Sequence, residues 1–390
     1  MNCPVCQSKK TETLLRRINV PAHQNLLYRN KEDAQGVKRG ILALVFCMNC
    51  DFIFNRAFDE GILSYDIEYN NSQMASPMFQ DYVEKLISYL INKHAIKNKS
   101  VLEVGCGKGY FLKDLCIKGN NRGIGFDTSY SGSPVILNGR VKFVRRLYAC
   151  GNRTPFIDAV LCRHVIEHVQ YPLNLLGSIK KAVSKSKNGW LFFETPSVEW
   201  ILEHNVIWDF FYEHCSYFSE KSLRIAVEKS GFSVWKIKRL FAGQYFWLEA
   251  RFNNKNKMLT EKEKPKTKNI LGLVKKFKIS ERKTVEKYKA VVKNLKKNGN
   301  VAIWGAGAKG VTFANLIDPG CNTLSCIIDL SPDKQGHFIP GAGHPVIGPK
   351  EIARYGIKSA ILMNPNYMHE NRRFLDRANL KYVDLVELKG

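Results

Sequence analysis

The chain has 390 residues, 45% of them hydrophobic, which allows about two or three domains with apolar cores and argues against wholesale disorder. No apolar run is as long as a membrane span, and the opening MNCPVCQSKK lacks a signal-peptide core, so we expect a cytoplasmic protein with reduced thiols. The net charge of +25 suits nucleic acid, an anionic membrane surface or a phosphorylated small molecule, although a solvated lysine-rich surface explains most of it.

Two C-x-x-C pairs lie at either end of the first fifty residues. Cys3 and Cys6 form the first pair, and Cys47 and Cys50 form the second. Each pair offers two thiolates from one tight turn, so the spacing predicts a tetrahedral zinc site. Four thiolates leave no open coordination position, which makes the zinc structural. We assign residues 1–70 to a zinc-binding module; the alternative is four unrelated cytosolic cysteines.

A polar stretch, residues 61–77, follows this module and shows no clear helical period. Such a loop beside a binding site could close over a substrate. Its two tyrosines, Tyr65 and Tyr69, are the candidates for contact, and Tyr69 is placed among the catalytic candidates. The alternative is that both rings are half-buried and only anchor the loop.

The segment VLEVGCGKGYFLKDL, residues 101–115, predicts a buried parallel strand, a tight turn and a helix. The glycines Gly105, Gly107 and Gly109 allow the backbone to come close to a ligand at the helix N-terminus. Glu103 precedes the turn, and Asp127 ends the next apolar stretch, GIGFD. An acid at the end of a second strand can accept hydrogen bonds from a ribose diol.

The string E-x-G-C-G-x-G, with an acid after the next strand, resembles the first motifs of class I S-adenosylmethionine (SAM) methyltransferases. Dinucleotide-binding folds share the glycines, but the glutamate two positions before the first glycine favours a methyltransferase. The resemblance implies SAM as cofactor. The residues assigned to bind it are Glu103, Gly105, Cys106, Gly107, Gly109, Asp127 and His164.

Further apolar stretches at 141–145, 157–162 and 190–195 alternate with helical patterns, and a hairpin follows residue 231. This order predicts an α/β fold, a doubly wound parallel sheet with an antiparallel edge, over residues 71–253. Residues 254–285 are lysine-rich and are predicted to be a basic linker. Residues 286–390 begin a second α/β unit, which we predict to be a Rossmann-like domain.

The second unit contains a G-x-G-x-x-G turn at Gly305, Gly307 and Gly310, and Asp329 ends a strand about twenty residues later. The segment is short for a full dinucleotide domain. We therefore expect it to hold a substrate nucleotide, or to stabilise the fold, and not to bind a redox cofactor. The substrate-binding candidates are Lys309 and Lys334 for phosphate and Asp329 for a ribose or a structural role.

Four strings together resemble the sugar C-methyltransferases that act on nucleotide-linked deoxysugars. They are the double C-x-x-C, the E-x-G-C-G-x-G core, YEHCSYFS at 212–219 and the terminal WGAGAKG…IIDLSPDKQGHFIPG. The resemblance implies a zinc module, a SAM-binding core and a Rossmann-like tail that enclose a 4-keto sugar nucleotide. It also implies that Glu213 and His214 lie at the active centre.

Methylation at carbon requires a base beside a carbonyl group and donors for the enolate oxygen. We predict that His214 is this base, with Glu213 or Tyr212 orienting it or supporting the enolate. Aromatic neighbours lower a histidine's pKa and Glu213 raises it, so we expect a pKa near neutrality.

Three other functions compete with this one. The first is O-methylation of a sugar or small molecule, with His164 or His168 as the base. The second is a zinc-containing nucleic-acid-binding protein or RNA methyltransferase, although no aromatic-and-basic reader module is evident. The third is an inactive scaffold, against which the intact GCGKG string argues.

Overall fold

The computed structural model describes residues 2–149, 156–186, 189–252 and 270–388. The strands are β1 (Thr11–Pro21), β2 (Arg39–Cys47), β3 (Ile53–Asn55), β4 (Ser100–Val104), β5 (Arg122–Phe126), β6 (Val135–Ile136), β7 (Val141–Val144), β8 (Ala159–Arg163), β9 (Trp190–Pro196), β10 (Ser216–Tyr217), β11 (Phe232–Leu240), β12 (Tyr245–Phe252), β13 (Asn300–Trp304), β14 (Cys326–Ile328), β15 (Val346–Ile347), β16 (Ile357–Leu362) and β17 (Asp384–Glu387). The helices are α1 (Lys31–Gln35), α2 (Pro77–Lys93), α3 (Tyr110–Gly119), α4 (Pro172–Val183), α5 (Val198–Glu203), α6 (Glu220–Lys229), α7 (Ile270–Lys296), α8 (Ala308–Ile317) and α9 (Met368–Arg377). Within these ranges no helix is both long and apolar enough to span a bilayer.

The N-terminal sheet is antiparallel and has the order β1-β2-β3-β10. Its fourth strand comes from far along the chain, since Ser216 pairs with Phe54 and Tyr217 with Ile53. The connection between β1 and β2 carries α1 and contacts the C-terminal domain, where Tyr28 bridges to Phe338. The N-terminal module is therefore joined to both other parts of the molecule.

The central sheet has eight strands in the order β11-β12-β9-β8-β4-β5-β7-β6. The five strands from β9 to β7 in this order are parallel, and β11, β12 and β6 add antiparallel edges. Val101, Leu102 and Val104 of β4 are buried, as expected for a parallel strand covered on both faces. The predicted doubly wound sheet with an antiparallel edge is confirmed. Its strand order reverses between β4 and β8, which is where such sheets bind ligands.

The C-terminal sheet has the order β15-β14-β13-β16-β17, and all of its pairings are parallel. It repeats the arrangement of the central sheet on a smaller scale, with a reversal between β13 and β16. This is the Rossmann-like topology predicted for the second glycine string. We call the place where the strand order of a sheet reverses its switch point. In each of the two sheets, a glycine turn follows the strand beside the switch point, at the carboxyl end of that strand.

The boundary of the basic linker differs from the prediction. Helix α7 begins at Ile270, so residues 270–285, assigned above to the linker, are helical. Its buried residues Ile270, Val274 and Phe277 recur at intervals of three or four and pack into the core. Lysine-rich composition masked this amphipathic period. The rest of the predicted linker, up to residue 269, lies outside the described residues.

Candidate active site between the two glycine loops

One cavity of about 1120 Å³ joins the two switch points. Its wall includes Gly105 and Gly107 from the central sheet and Gly305 and Gly307 from the C-terminal sheet. The wall also includes the side chains of Tyr65, Tyr69, Asp127, His164, His168, His214, Lys309, Asp329 and Lys334. The structure thus brings the predicted cofactor loop, the predicted substrate loop and His214 to one space.

The first glycine turn is shaped for a ligand at its middle residue. Gly107 has φ +52°, and a Cβ there would meet no atom within 4 Å, so its backbone faces open space. Gly105 is closed by Val165, since a Cβ there would lie 2.0 Å from a methyl carbon. Gly109 packs against the ring of Phe143 and does not line the cavity. Of the three glycines, Gly107 offers the closest approach to a ligand.

Asp127 is held rigidly beside this turn. Its Oδ2 accepts a hydrogen bond from the Gly107 amide at 2.8 Å, and its Oδ1 accepts from the amide and hydroxyl of Ser129 at 2.8 and 2.7 Å. A carboxylate has about four acceptor positions, so Oδ2 retains capacity for a ligand hydroxyl. The structure thus agrees with the predicted position of Asp127 at the end of β5.

Two other predicted cofactor residues, Glu103 and Cys106, lie on the same wall. Glu103 is 2% exposed, and its Oε2 has no hydrogen-bond partner within the described residues. Burial raises the pKa of Glu103 to about 7, against the opposing charge of Arg163. An unpaired buried oxygen at the cavity wall is available to a polar group of a bound ligand.

A buried ion pair between Arg163 and Glu194 lies next to His164. Arg163 Nε donates to Glu194 Oε2 at 2.6 Å, and the Arg163 guanidinium stacks on Phe111 at 4.2 Å. Tyr82 donates its hydroxyl to the same carboxylate. Burial raises the pKa of Glu194, but the charges of Arg163 and His164, together with the hydrogen bonds from Tyr82 and Arg163, outweigh it and lower the pKa. Sequence reasoning missed this pair, although the polar residues in apolar β8 and β9 were a usable signal.

His164 lies between the Arg163–Glu194 ion pair and Glu167, the residue before His168. Its backbone has φ +55°, an uncommon value for a residue other than glycine. Its Nε2 lies 3.6 Å from Glu194 Oε2, and its Nδ1 lies 3.4 Å from Glu167 Oε1. The strained turn after β8 therefore aims the ring between two buried carboxylates, within the cavity wall.

The predicted base His214 lies against His168. The two rings are nearly perpendicular, with centroids 4.7 Å apart, and Phe211 covers His214 at 4.1 Å. The Tyr65 hydroxyl lies 3.1 Å from His168 Nδ1. Donor atoms of Glu167, His168 and His214 all lie within 4.8 Å of one another, a spacing that a metal ion could also use.

The pKa of His214 is not near neutrality, in contrast to the prediction from the sequence. Burial lowers the pKa of His214 well below its ordinary value, and the nearby charges of His168, His164 and Lys309 lower it further. The carboxylate of Glu213 was expected to raise this pKa, but it is directed into its own hydrogen-bond network. His214 is therefore a neutral imidazole at physiological pH.

Glu213 is fully buried and does not line the cavity. Its Oε1 accepts from the Gln24 amide at 2.8 Å, and its Oε2 accepts from Asn25 Nδ2 and from the Tyr69 hydroxyl, both at 3.1 Å. Burial raises the pKa of Glu213 to about 7 despite these hydrogen bonds. Glu213 thus fastens the connection between β1 and β2, and the loop bearing Tyr69, to the chain beside His214.

Tyr212 does not reach the cavity, in contrast to its predicted role beside His214. A turn at 212–213 directs its side chain toward the N-terminal module. There its ring packs on Gly40 of β2, and its hydroxyl accepts from the Asp59 amide at 2.8 Å and donates to the Asp59 carbonyl at 3.2 Å. Both capacities of the hydroxyl are occupied, so it cannot support an enolate.

The second glycine turn resembles the first in geometry. A Cβ at Gly305 or Gly307 would meet nothing within 4 Å, whereas one at Gly310 would lie 2.0 Å from the Gly305 carbonyl oxygen. Asp329 Oδ2 accepts from the Ala306 amide at 2.7 Å, and its Oδ1 accepts from the Ser331 amide at 2.9 Å. The backbone at the start of α8 is therefore open to the cavity.

The two predicted phosphate contacts, Lys309 and Lys334, already have protein partners. Lys309 Nζ donates to Asp209 Oδ2 at 2.7 Å and to Gln244 Oε1 at 3.3 Å. Lys334 is 6% exposed, and its Nζ donates to the Ala306 carbonyl at 3.1 Å. A phosphate would have to compete with Asp209 for Lys309, while Lys334 mainly supports the glycine turn.

The four predicted zinc ligands form one cluster, in which the sulfur atoms all lie within 4.8 Å of one another. The Cys3 and Cys50 sulfurs are 3.6 Å apart, and those of Cys6 and Cys47 are 3.5 Å apart. Four sulfurs about 2.3 Å from a tetrahedral zinc ion would be about 3.8 Å apart. The donor set and its spacing therefore fit a structural zinc ion.

Comparisons with known proteins separate the chain into two matching regions. The family described as "Methyltransferase domain" matches residues 74–237. The family described as "C-methyltransferase C-terminal domain" matches residues 249–378. These ranges cover most of the central sheet and most of the C-terminal sheet.

Two curated relatives are "Ubiquinone biosynthesis O-methyltransferase" proteins. The one from Nitrosomonas europaea is 24% identical over 33% of this chain and 54% of its own length. The one from Hydrogenovibrio crunogenus is 28% identical over 28% of this chain and 47% of its own length. The chain spans about half the length of these curated relatives.

Among solved structures, the magnesium protoporphyrin IX methyltransferase of Synechocystis PCC 6803 is 18% identical. The match covers 45% of this chain and 83% of that one, with a TM-score of 0.35. The two family matches describe the chain more fully than these partial relatives. Residues 74–237 are thus a methyltransferase domain of the SAM-dependent class, and residues 249–378 are a C-methyltransferase C-terminal domain.

Proposed function

We propose that this protein transfers a methyl group from SAM to a carbon atom of a nucleotide-linked 4-keto-deoxysugar. The observation that carries the proposal is the single cavity, in which two glycine turns of separate sheets share a wall with His214. One turn suits the cofactor and the other suits a second nucleotide. The match to a C-methyltransferase C-terminal domain supports carbon as the methylated atom.

SAM is assigned to the first turn. The open backbone at Gly107 admits the cofactor, and the free capacity of Asp127 Oδ2 suits a ribose hydroxyl. When bound, SAM supplies a methyl group on a sulfonium for in-line displacement, so the main task of the chain is to position the two reactants.

The diphosphate of the sugar nucleotide is assigned to the start of α8. Open backbone at Gly305 and Gly307 leads into a helix N-terminus, which attracts anions. Asp329 stands beside it as Asp127 stands beside the first turn, and suits a ribose hydroxyl. The phosphate would draw Lys309 away from its salt bridge with Asp209.

His214 is assigned as the base. A neutral imidazole can accept the proton on the carbon next to the ketone, and the electron pair of the broken C–H bond moves into the enolate oxygen. With SAM bound, the enolate carbon would form a bond to the methyl carbon while the bond from that carbon to sulfur breaks, and S-adenosylhomocysteine would leave. Glu213 and Tyr69 act by positioning the His214 segment.

Zinc is assigned to Cys3, Cys6, Cys47 and Cys50. The ion would fix the ends of β1 and β2 as a structural cross-link, with no open position for chemistry.

The deciding experiment mixes purified protein, SAM and a panel of 4-keto sugar nucleotides. The expected product is heavier by one methylene unit, and its fragments place the new methyl on a ring carbon. A new methyl on oxygen would favour the alternative O-methyltransferase function, which is the activity named for the two curated relatives. Methylation of RNA without any sugar product would overturn both.

A further inference from the structure

The outer side of α7 is a basic ridge that takes no part in the cavity. The helix has 27 residues, Ile270–Lys296, with nine lysines and arginines against two glutamates. None of its residues lines the cavity wall. The charge of this helix therefore needs an explanation other than substrate binding.

The helical period places many of the basic residues on one side of α7, opposite its buried face. The buried face carries Val274, Phe277, Thr284, Tyr288 and Val292. With 3.6 residues per turn, the positions opposite this face are 272, 275, 276, 279, 282, 283, 286, 290, 293 and 294. Five of these are basic and exposed: Lys275, Lys276, Arg282, Lys283 and Lys293. At 1.5 Å per residue they extend along about 27 Å of the molecular surface.

Within the described residues, both glutamates of this helix are paired with residues other than the five ridge residues. Glu281 pairs with Arg17 of β1, and Glu286 pairs with the flanking Lys289. In the described parts of the chain, none of the five ridge residues named above makes an ion pair. The neighbouring segment 253–269 adds six lysines and two glutamates to the sequence on the N-terminal side of the helix.

An apolar side chain stands among these charges. Ile279 is 72% exposed and lies between Lys276 and Arg282 on the outer face. Both aromatic residues of the helix, Phe277 and Tyr288, are buried on the opposite face. The ridge therefore combines positive charge with a projecting aliphatic group and offers no ring for stacking.

We propose that the outer face of α7, centred on Ile279, docks the protein on an anionic phospholipid surface. Rows of lysine attract acidic headgroups, and an aliphatic side chain among them can enter the boundary between headgroups and acyl chains. Single-stranded nucleic acid is less suited to this face, because its readers supply aromatic platforms for the bases. The ridge and the cavity share no residue, so docking through the ridge uses none of the side chains that line the cavity.

The test measures co-sedimentation of the full-length protein with vesicles. Vesicles of phosphatidylglycerol mixed into phosphatidylcholine should bind the protein at low salt, and vesicles of phosphatidylcholine alone should not. Added salt should release the protein, since screening weakens the attraction. The triple variant Lys275→Gln, Lys276→Gln, Lys283→Gln should bind about a hundredfold more weakly, at about fivefold per lysine, equivalent to about 1 kcal/mol each.

Two further variants make the result specific. The triple variant Lys142→Gln, Lys350→Gln, Lys381→Gln removes the same charge from exposed lysines elsewhere and should bind like wild type. Ile279→Ser should weaken vesicle binding while leaving methyl transfer unchanged. Equal losses in the two triple variants would overturn the proposal, because net charge alone would then explain binding. Binding to a homopolymeric RNA with no binding to anionic vesicles would also overturn it.

Discussion

The imidazole rings of His168 and His214 meet at 88° with centroids 4.7 Å apart. Burial is the main reason that the pKa of His214 is lowered, and at this separation a proton on the His168 ring lowers it further, as does the charge of Lys309. His214 therefore waits in the neutral form that a general base needs. The hydroxyl of Tyr65 holds His168 from the other side and fixes the geometry of the pair.

His214→Asn should lower the turnover rate about a hundredfold or more, the usual contribution of a general base, while SAM affinity stays intact. The variant should also slow exchange of the substrate's α-proton with deuterated water, measured by NMR without SAM. Since a metal ion could use the same histidines, both assays are repeated after chelation. His369→Asn, at an exposed histidine outside the cavity, is the matched control. Near-normal turnover would move the role of base to His164 or His168.

Asp127→Ala should weaken SAM binding by about 1–3 kcal/mol, because a ribose hydroxyl and the Gly107 amide lose their acceptor. Gly107→Val should block the cofactor outright, since its side chain would fill the open space over the turn. Calorimetry measures both affinities. Gly139→Val is the control, because Gly139 also has positive φ and open surroundings but lies outside the cavity. Unchanged SAM affinity in both cavity variants would contradict the assignment of SAM to the turn at Gly107 and to Asp127.

Elemental analysis should find about one zinc ion per chain, as the four-thiolate cluster requires. Cys47→Ser should lower the zinc content and the unfolding midpoint. It should also reduce activity, because β3 of the zinc module pairs with β10, which begins two residues after His214. Cys116→Ala, at a buried cysteine outside the cluster, should retain zinc. Metal-free protein of full stability would count against the site.

Gly307→Val should raise the KM for the sugar nucleotide and leave SAM affinity unchanged, because the side chain would occupy the open start of α8. Steady-state kinetics with calorimetry of SAM binding separates the two effects. The C-terminal turn is also expected not to serve a nicotinamide. Tight NAD binding, or hydride transfer by the whole enzyme, would show that this expectation is wrong.

The buried carboxyl of Glu213 should make stability depend on pH. Burial raises its pKa from 4.5 to about 7, so the folded state binds more protons than the unfolded state between these values. Its contribution is complete below pH 4.5 and is lost as the pH rises toward 7, by about 3 kcal/mol in total. Urea midpoints of wild type and Glu213→Gln across this range give the difference. Since Glu103 and Glu199 titrate in the same range, parallel curves for the two proteins would exclude Glu213 as the cause.

Local patterns predicted the fold well. The strand from 101 to 104, the glycine turn after it and the hairpin after residue 231 each depend on neighbouring residues, and each is found where the sequence placed it. The paired cysteines likewise predicted their own cluster, because C-x-x-C spacing sets the geometry of each half. The start of α7 was missed, since its abundant lysines hid a helical apolar period.

The polar contacts around His214 could not be predicted in this way. The hydrogen bond from Gln24 to Glu213 joins residues 189 positions apart, and the one from Lys309 to Asp209 joins residues 100 positions apart. The sequence around either residue of such a pair contains no pattern from which its partner could be predicted. For Tyr212, closeness in sequence was misleading. It lies two residues before His214, which suggested that both side chains share one site, but the turn at 212–213 directs Tyr212 toward Asp59.

The pairing of β10 with β3 has a consequence for engineering. Only two residues form β10, yet they add a strand of the methyltransferase segment to the edge of the N-terminal sheet, two residues after His214. A truncated protein that begins after residue 70 would leave this strand without its neighbour and Glu213 without Gln24. Chimeras between relatives of this protein should therefore exchange residues 1–70 together with 210–219, so that each segment bearing His214 keeps its own pairing with β3 and its hydrogen bond to Gln24.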